Sequence, residues 1–206
     1  DIERLALVRR VVGGRAQLRL DANGGWADAR EAGAALDALL GPDVESVEQP
    51  VPVRDRQGLR WLRRRLDCTV AADEAIVDEA AGLRLVAEGA VDALVLKPTR
   101  LGSLGACLRL AAAAEAAGLR CWVTTVLGGA VERAGARHLA SALASGEAQG
   151  LATGGLLAAD VLPTGLPPEV VRGGRLDVGL DRPGLGFPLE AFAVLRDEPG
   201  SGPGRP

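Results

Sequence analysis

Five short apolar runs recur along this chain at a nearly constant step, and each closes on a polar residue. The closing residues are Asp21, Glu48, Asp73, Lys97 and Thr124, separated by 27, 25, 24 and 27 residues. Between the runs lie Ala-, Leu-, Arg- and Glu-rich segments with apolar residues at i, i+3 and i+4, the spacing of amphipathic helices. Short, largely apolar strands alternating with such helices predict a parallel sheet buried on both faces and covered by helices. A regular step of this size favours a (β/α)8 TIM-type barrel, an α/β fold, over a doubly wound sheet.

The predicted strands are Ala16–Leu20, Glu45–Val47, Thr69–Ala72, Ala93–Leu96 and Cys121–Thr124. The predicted helices between and after them are Ala27–Leu40, Arg54–Leu66, Asp78–Glu88, Ser103–Ala117 and Ala130–Ala144. Ile2–Val12 reads as a helix belonging to an earlier unit, and Gln149–Ala152 as a weak sixth strand. A whole barrel of this type takes about 250 residues. The expectation is therefore an incomplete barrel over residues 1–160, lacking its first strands on the N-terminal side. Residues 161–206 form a Pro- and Gly-rich tail whose last seven residues, Gly200–Pro206, are expected to be disordered.

Composition excludes several functions. A net charge of −3 leaves no basic footprint for nucleic acid. The apolar runs are short and broken by charges, so no membrane span is expected, and no signal peptide opens the chain. Cys68, Cys107 and Cys121 lack metal-ligand spacing and sit in apolar stretches. They read as free thiols in a reducing, cytoplasmic setting.

In a barrel the C-terminal strand ends converge on one mouth, where active sites lie. Asp21, Glu48 and Asp73 would then face one point. Like charges held together are costly unless a cation neutralises them. An all-oxygen donor set suits a hard ion, Mg²⁺ first and Mn²⁺ second. Each acid taken alone reads more simply as a helix N-cap or first-turn residue. Lys97 follows one step later and is the single lysine among 24 lysines and arginines. Near a divalent cation a lysine can give up its proton, which an arginine cannot. The plainer reading of Lys97 is a solvated cation.

The series Asp21–Trp26 (DANGGW), Val47–Pro50 (VEQP), Ala72–Glu74 (ADE) and Leu96–Pro98 (LKP) resembles the muconate-lactonizing branch of the enolase superfamily, from Ile2 to about Ala159. The resemblance implies Mg²⁺ on Asp21, Glu48 and Asp73, with Lys97 facing the substrate. It also implies supporting roles for Asn23, beside the substrate, and Gln49. Within the branch, the later segments are similar to o-succinylbenzoate synthases. Thr124-Thr125-Val126-Leu127-Gly128-Gly129 stands where a Ser/Thr-rich loop gives hydroxyls and backbone N–H groups to a substrate carboxylate. Gly150–Leu157 resembles the eighth-strand region and lacks the Asp-x-Asp expected of a dipeptide epimerase. Plain turn chemistry explains these Gly-rich segments as well.

Two departures from that pattern stand out. Gly128 replaces an acid common in the loop, and the branch's Lys-x-Lys motif and capping domain would fall before Asp1. The resemblance implies a magnesium-assisted dehydration of a small carboxylate, through an enolate, on the route to menaquinone. The alternatives are an N-succinylamino acid racemase, in which Lys97 is a base, and a metal-binding chain without turnover. His138, the only histidine, lies inside a predicted helix and reads as a packing or surface residue, unlike the histidine base of the mandelate-racemase branch. Arg63-Arg64-Arg65 reads as a solvated helix face. Trp26 reads either as a residue packing at the mouth or as a cap on the first layer.

Overall fold

A computed structural model describes residues 2–14, 16–39, 44–143, 146–157, 171–178 and 183–187. The elements run α1 (Ile2–Val12), β1 (Leu18–Asp21), α2 (Ala29–Leu39), β2 (Val44–Glu48), α3 (Arg56–Arg65), β3 (Thr69–Ala72), α4 (Glu79–Glu88) and β4 (Ala93–Leu96). They continue with α5 (Pro98–Leu101), α6 (Leu104–Ala116), β5 (Arg120–Val123), α7 (Ala130–Leu143) and a short hairpin, β6 (Val171–Arg172) with β7 (Arg175–Leu176). Strands β1 to β5 form one sheet in sequence order, and every pair in it is parallel. This is the βα succession expected from the sequence, as a partial (β/α) barrel.

The elements form where local chemistry starts and stops them. The Asp55 carboxylate caps α3 by accepting the Gly58 N–H at 2.8 Å. Asp78 does the same for Ala81, and Ser103 for Ala106. Asp28 accepts the N–H groups of Arg30 and Glu31 at the start of α2. Gly89, with φ of 57°, closes α4 in the left-handed conformation that a helix C-terminus favours. None of the strand-end acids caps these helices, so the N-cap reading of Asp21, Glu48 and Asp73 does not hold.

Register separates two cores. Leu36, Leu59, Leu62, Leu85, Leu94, Leu96 and Leu110 pack between the sheet and its helices. Ala71, Ala93, Val95 and Trp122 form a separate cluster on the opposite face. Side chains alternate along a strand. The pairs Arg19↔Ser46, Asp21↔Glu48, Glu48↔Ala71, Ala93↔Arg120 and Val95↔Trp122 therefore lie on one face, the concave interior. Its lower part is an ionic layer. Glu45 and Glu147 accept hydrogen bonds from both Arg19 and Arg120, and Trp122 Nε1 donates to Glu147. The Arg19 guanidinium lies 4.2 Å from the Trp122 ring centroid.

Several local expectations change. The sixth strand is a single parallel bridge, Thr124↔Gly150. A four-residue helix, α5, precedes the long α6, and Gly102 at φ of 78° breaks the two apart. Arg64 and Arg65 are exposed, as expected of a solvated face, while Arg63 is half-buried. It donates to Asp92 Oδ1 at 2.7 Å and to the Gly89 carbonyl at 2.9 Å, tying α3 to the turn before β4. Arg65 pairs with Asp37. Trp26 packs against the main core, and His138 Nδ1 lies 2.8 Å from the Ala134 carbonyl oxygen within α7. Helix α1 forms as expected and buries none of its residues. The three cysteines are free thiols, and burial pushes Cys121 up to about 12 and Cys107 up to about 11. The expected domain boundary near residue 160 and the segment 200–206 lie outside the described residues. Among the described residues no helix is long and apolar enough to cross a membrane.

Candidate active site at the C-terminal strand ends

The sheet register carries Asp21 beside Glu48, and Glu48 beside Ala71, two residues before Asp73. Their proximity has an electrostatic consequence. Burial, and after it the charges of Asp21 and Asp73, push the Glu48 carboxyl up to about 8. Burial likewise raises Glu74, whose Oε2 is buried without a hydrogen-bond partner. Four carboxyl groups thus share one end of the sheet, and one of them has an orphaned oxygen.

Side-chain and backbone hydrogen bonds tie this end of the sheet together. Gln49 sits at φ of 37° and is fully buried. Its Oε1 accepts the N–H groups of Asp73 at 3.1 Å and Ala75 at 3.0 Å. Its Nε2 donates to the Val51 carbonyl at 2.8 Å. Asn23, at φ of 47°, donates its backbone N–H to Asp21 Oδ1 at 3.0 Å. Asn and Gly tolerate the left-handed region, which explains the Asn23-Gly24 pair.

Lys97, at the end of β4, donates to Asp73 Oδ2. Arg100, on α5, donates to Asp73 Oδ1 at 2.8 Å. Asp73 is nearly fully buried, and both of its oxygens are engaged by cations. The oxygen-only donor set and the orphaned Glu74 oxygen fit a hard divalent ion. The side chains are not closed around a point. Among the described residues no group of three His, Cys, Asp or Glu stands in metal-holding geometry.

Thr124 and Thr125 follow β5 on the same rim. Thr124 Oγ1 donates to the Gly150 carbonyl at 2.8 Å, and Thr125 Oγ1 lies 2.8 Å from Thr153 Oγ1. Both hydroxyls are therefore engaged within the chain. Gly128 and Gly129 lead into α7. The Gly128 carbonyl accepts from Arg133 at 3.1 Å, and Glu132 Oε1 accepts the Val126 N–H at 2.8 Å. A Cβ at position 128 would lie 1.8 Å from Glu132 Oε2, so Glu132 fills the space that a side chain there would need. Arg100, Glu74 and Glu132 were not singled out from the sequence as site residues.

The family model described as "Enolase C-terminal domain-like" matches residues 1–193. The chain belongs to this family. It is similar to the o-succinylbenzoate synthase of Mycobacterium ulcerans, with 37% identity over 168 residues, 81% of this chain and 49% of that protein. The muconate lactonizing enzyme of Pseudomonas putida superposes with a TM-score of 0.81 at 28% identity, covering 95% of this chain and 54% of that one. The dipeptide epimerase of Enterococcus faecalis, solved with Mg and the dipeptide L-Leu-L-Tyr, superposes with a TM-score of 0.74 at 32% identity, covering 81% and 47%. The chain spans roughly a third to a half of the length of the curated relatives it matches.

Proposed function

We propose that this chain supplies the metal-binding residues and one charge-stabilising lysine of an enzyme that removes the α-proton of a small carboxylate, and that its reaction is dehydration of the o-succinylbenzoate synthase type. The observation that carries the reading is the Asp21, Glu48, Asp73 and Lys97 series on successive strand ends, with Glu48 driven up to about 8 by burial and by its acidic neighbours. The 81% coverage of this chain by a synthase at 37% identity supports the finer assignment.

Asp21, Glu48 and Asp73 would hold Mg²⁺, with Mn²⁺ as a substitute. When bound, such an ion supplies charge stabilisation for a substrate carboxylate as its α-carbon loses a proton. Gln49 fixes the Asp73 backbone and so sets the direction of that carboxylate. Lys97, held at the rim by Asp73, presents positive charge to the face of the substrate opposite the departing proton. The Gly128-Gly129 backbone, together with Asn23, would receive the distal carboxylate, which the Thr124 and Thr125 hydroxyls would reach only on leaving Gly150 and Thr153. The proton-transfer group, and the substrate cover, come from outside these residues in this reading.

An epimerase or N-succinylamino acid racemase reading is favoured by one observation, the likeness to a dipeptide epimerase at 32% identity. It requires Lys97 to exchange protons itself.

The test uses the full-length protein. Mn²⁺ binding is followed by electron paramagnetic resonance, and α-deuterium exchange and water loss by mass spectrometry. Wild type should bind Mn²⁺ and eliminate water from a hydroxylated cyclohexadiene carboxylate to give 2-succinylbenzoate. Asp73→Asn should lose both. Retention of tight Mn²⁺ binding by Asp73→Asn would overturn the ligand set.

A further inference from the structure

Asp73 is the acid at this mouth whose two oxygens are each engaged by a cation, Lys97 on Oδ2 and Arg100 on Oδ1. The two cations are held differently. Lys97 ends β4 in extended backbone, with its side chain 13% exposed. Arg100 rides on the four-residue α5, between Pro98 and Gly102, with its side chain 28% exposed. A divalent ion that takes Asp73 must approach an oxygen that already carries a donor, and it brings like charge against that donor. The group free to leave is the one on the longer, more exposed side chain at the end of a short helical turn. We propose that Arg100 is a positioning residue that competes with the divalent cation for Asp73 Oδ1 and swings away when the cation binds.

The charges around it support this exchange. The carboxylates of Asp21, Glu48 and Glu74 stand near Asp73 and add negative charge around it. Lys97 and Arg100 offset this negative charge at Asp73. Arg100 does so without being able to lose its charge, because a guanidinium stays protonated at any working pH. Its departure must therefore be driven by a competing cation and not by deprotonation. The inference rests on the metal-site reading above, and its own content is the contact between Arg100 and Asp73.

Two measurements test it in the full-length protein. The first is Mn²⁺ affinity by electron paramagnetic resonance, for wild type, Arg100→Met and Asp73→Asn. Loss of the competing donor should tighten binding in Arg100→Met by about tenfold, the scale of one charge-assisted hydrogen bond. The second is phenylglyoxal modification of Arg100, read by peptide mass spectrometry with and without Mg²⁺. Saturating Mg²⁺ should raise modification of Arg100 several-fold, while Arg63 and Arg120 stay constant as internal references. Asp73→Asn should show the raised level without Mg²⁺. Unchanged Mn²⁺ affinity in Arg100→Met, or Arg100 modification indifferent to Mg²⁺, overturns the competition even if Asp73→Asn loses the metal. If wild type itself binds no Mn²⁺, the metal-site reading falls and this proposal with it. Circular dichroism of each variant confirms that the fold is retained.

Discussion

The Gln49 side-chain carbonyl accepts the backbone N–H of Asp73 at 3.1 Å, linking the end of β2 to the end of β3 through a fully buried amide. The same oxygen takes the Ala75 N–H at 3.0 Å. Removing it leaves two backbone donors without partners in a dry environment. An unsatisfied buried donor costs about 1–3 kcal/mol. Gln49→Leu should therefore lower the unfolding free energy by about 2–4 kcal/mol. Urea denaturation followed by circular dichroism checks this. Because Asp73 loses its anchor, Mn²⁺ affinity should fall in the surviving folded fraction.

Gly128 and Glu132 occupy one space. Gly128→Ala would place a Cβ 1.8 Å from the present position of Glu132 Oε2. Glu132 must then move, and Val126 loses the acceptor of its N–H. Overpacking of this kind typically costs about 1–3 kcal/mol. Glu132→Ala alone should cost less, and the double variant should recover most of the Gly128→Ala penalty. A double-mutant cycle on thermal unfolding reads the coupling. Additive effects would contradict the shared space.

The ionic layer inside the sheet gives a pH dependence with a definite sign. Hydrogen bonding from Arg19, and then from Arg120, holds Glu45 below its ordinary value of 4.5. Hydrogen bonding from Arg120, and then from Trp122, does the same for Glu147. A carboxyl group whose value is lowered by folding adds stability above its unfolded value, and that stability is lost as pH falls through the folded value. The share of the unfolding free energy owed to Glu45, read as the difference between wild type and Glu45→Gln, should therefore hold level as pH drops from 7 to about 5 and shrink below about 4.5. Glu48, raised to about 8, adds stability to both proteins as pH falls through that value. Glu45→Gln should be less stable at pH 7 and show a shallower decline. Urea midpoints at each pH measure both. A steeper acid decline in Glu45→Gln would contradict the assignment.

Much of this molecule is legible in the sequence for identifiable reasons. The strand ends at Asp21, Glu48, Asp73 and Lys97 stand out because apolar runs stop there at a constant step. The carboxylates and the single lysine are rare at such positions, so each carries contrast. Arg100 has none, being one arginine among many, and α5 is too short to show a helical period. Gln49 was legible as a supporting residue, but its two acceptor contacts depend on a left-handed backbone that periodicity does not report. The layer formed by Arg19, Glu45, Arg120, Trp122 and Glu147 joins residues up to 128 positions apart. Such long-range pairing leaves no local signal. The Gln149–Ala152 strand reduces to one bridge at Gly150, where glycine weakens a ladder.

Lys97 separates the two enzymatic readings. It lies against Asp73 at the strand-end rim, mostly shielded from solvent. As an electrostatic stabiliser it needs only positive charge beside the developing anion. As a racemase base it must lose its proton, which an arginine does not do near neutral pH. In the full-length protein, Lys97→Arg should abolish racemisation of an N-succinylamino acid, because one of the two proton-transfer faces is lost. Dehydration should fall by about 10²–10³, the usual effect of misplacing one positioned electrostatic group, but remain measurable. The readouts are deuterium incorporation at the α-carbon, alongside formation of 2-succinylbenzoate. Residual dehydration without racemisation supports the synthase reading. Wild-type rates for both reactions in Lys97→Arg would remove Lys97 from the active site, and its place beside Asp73 would then be structural only.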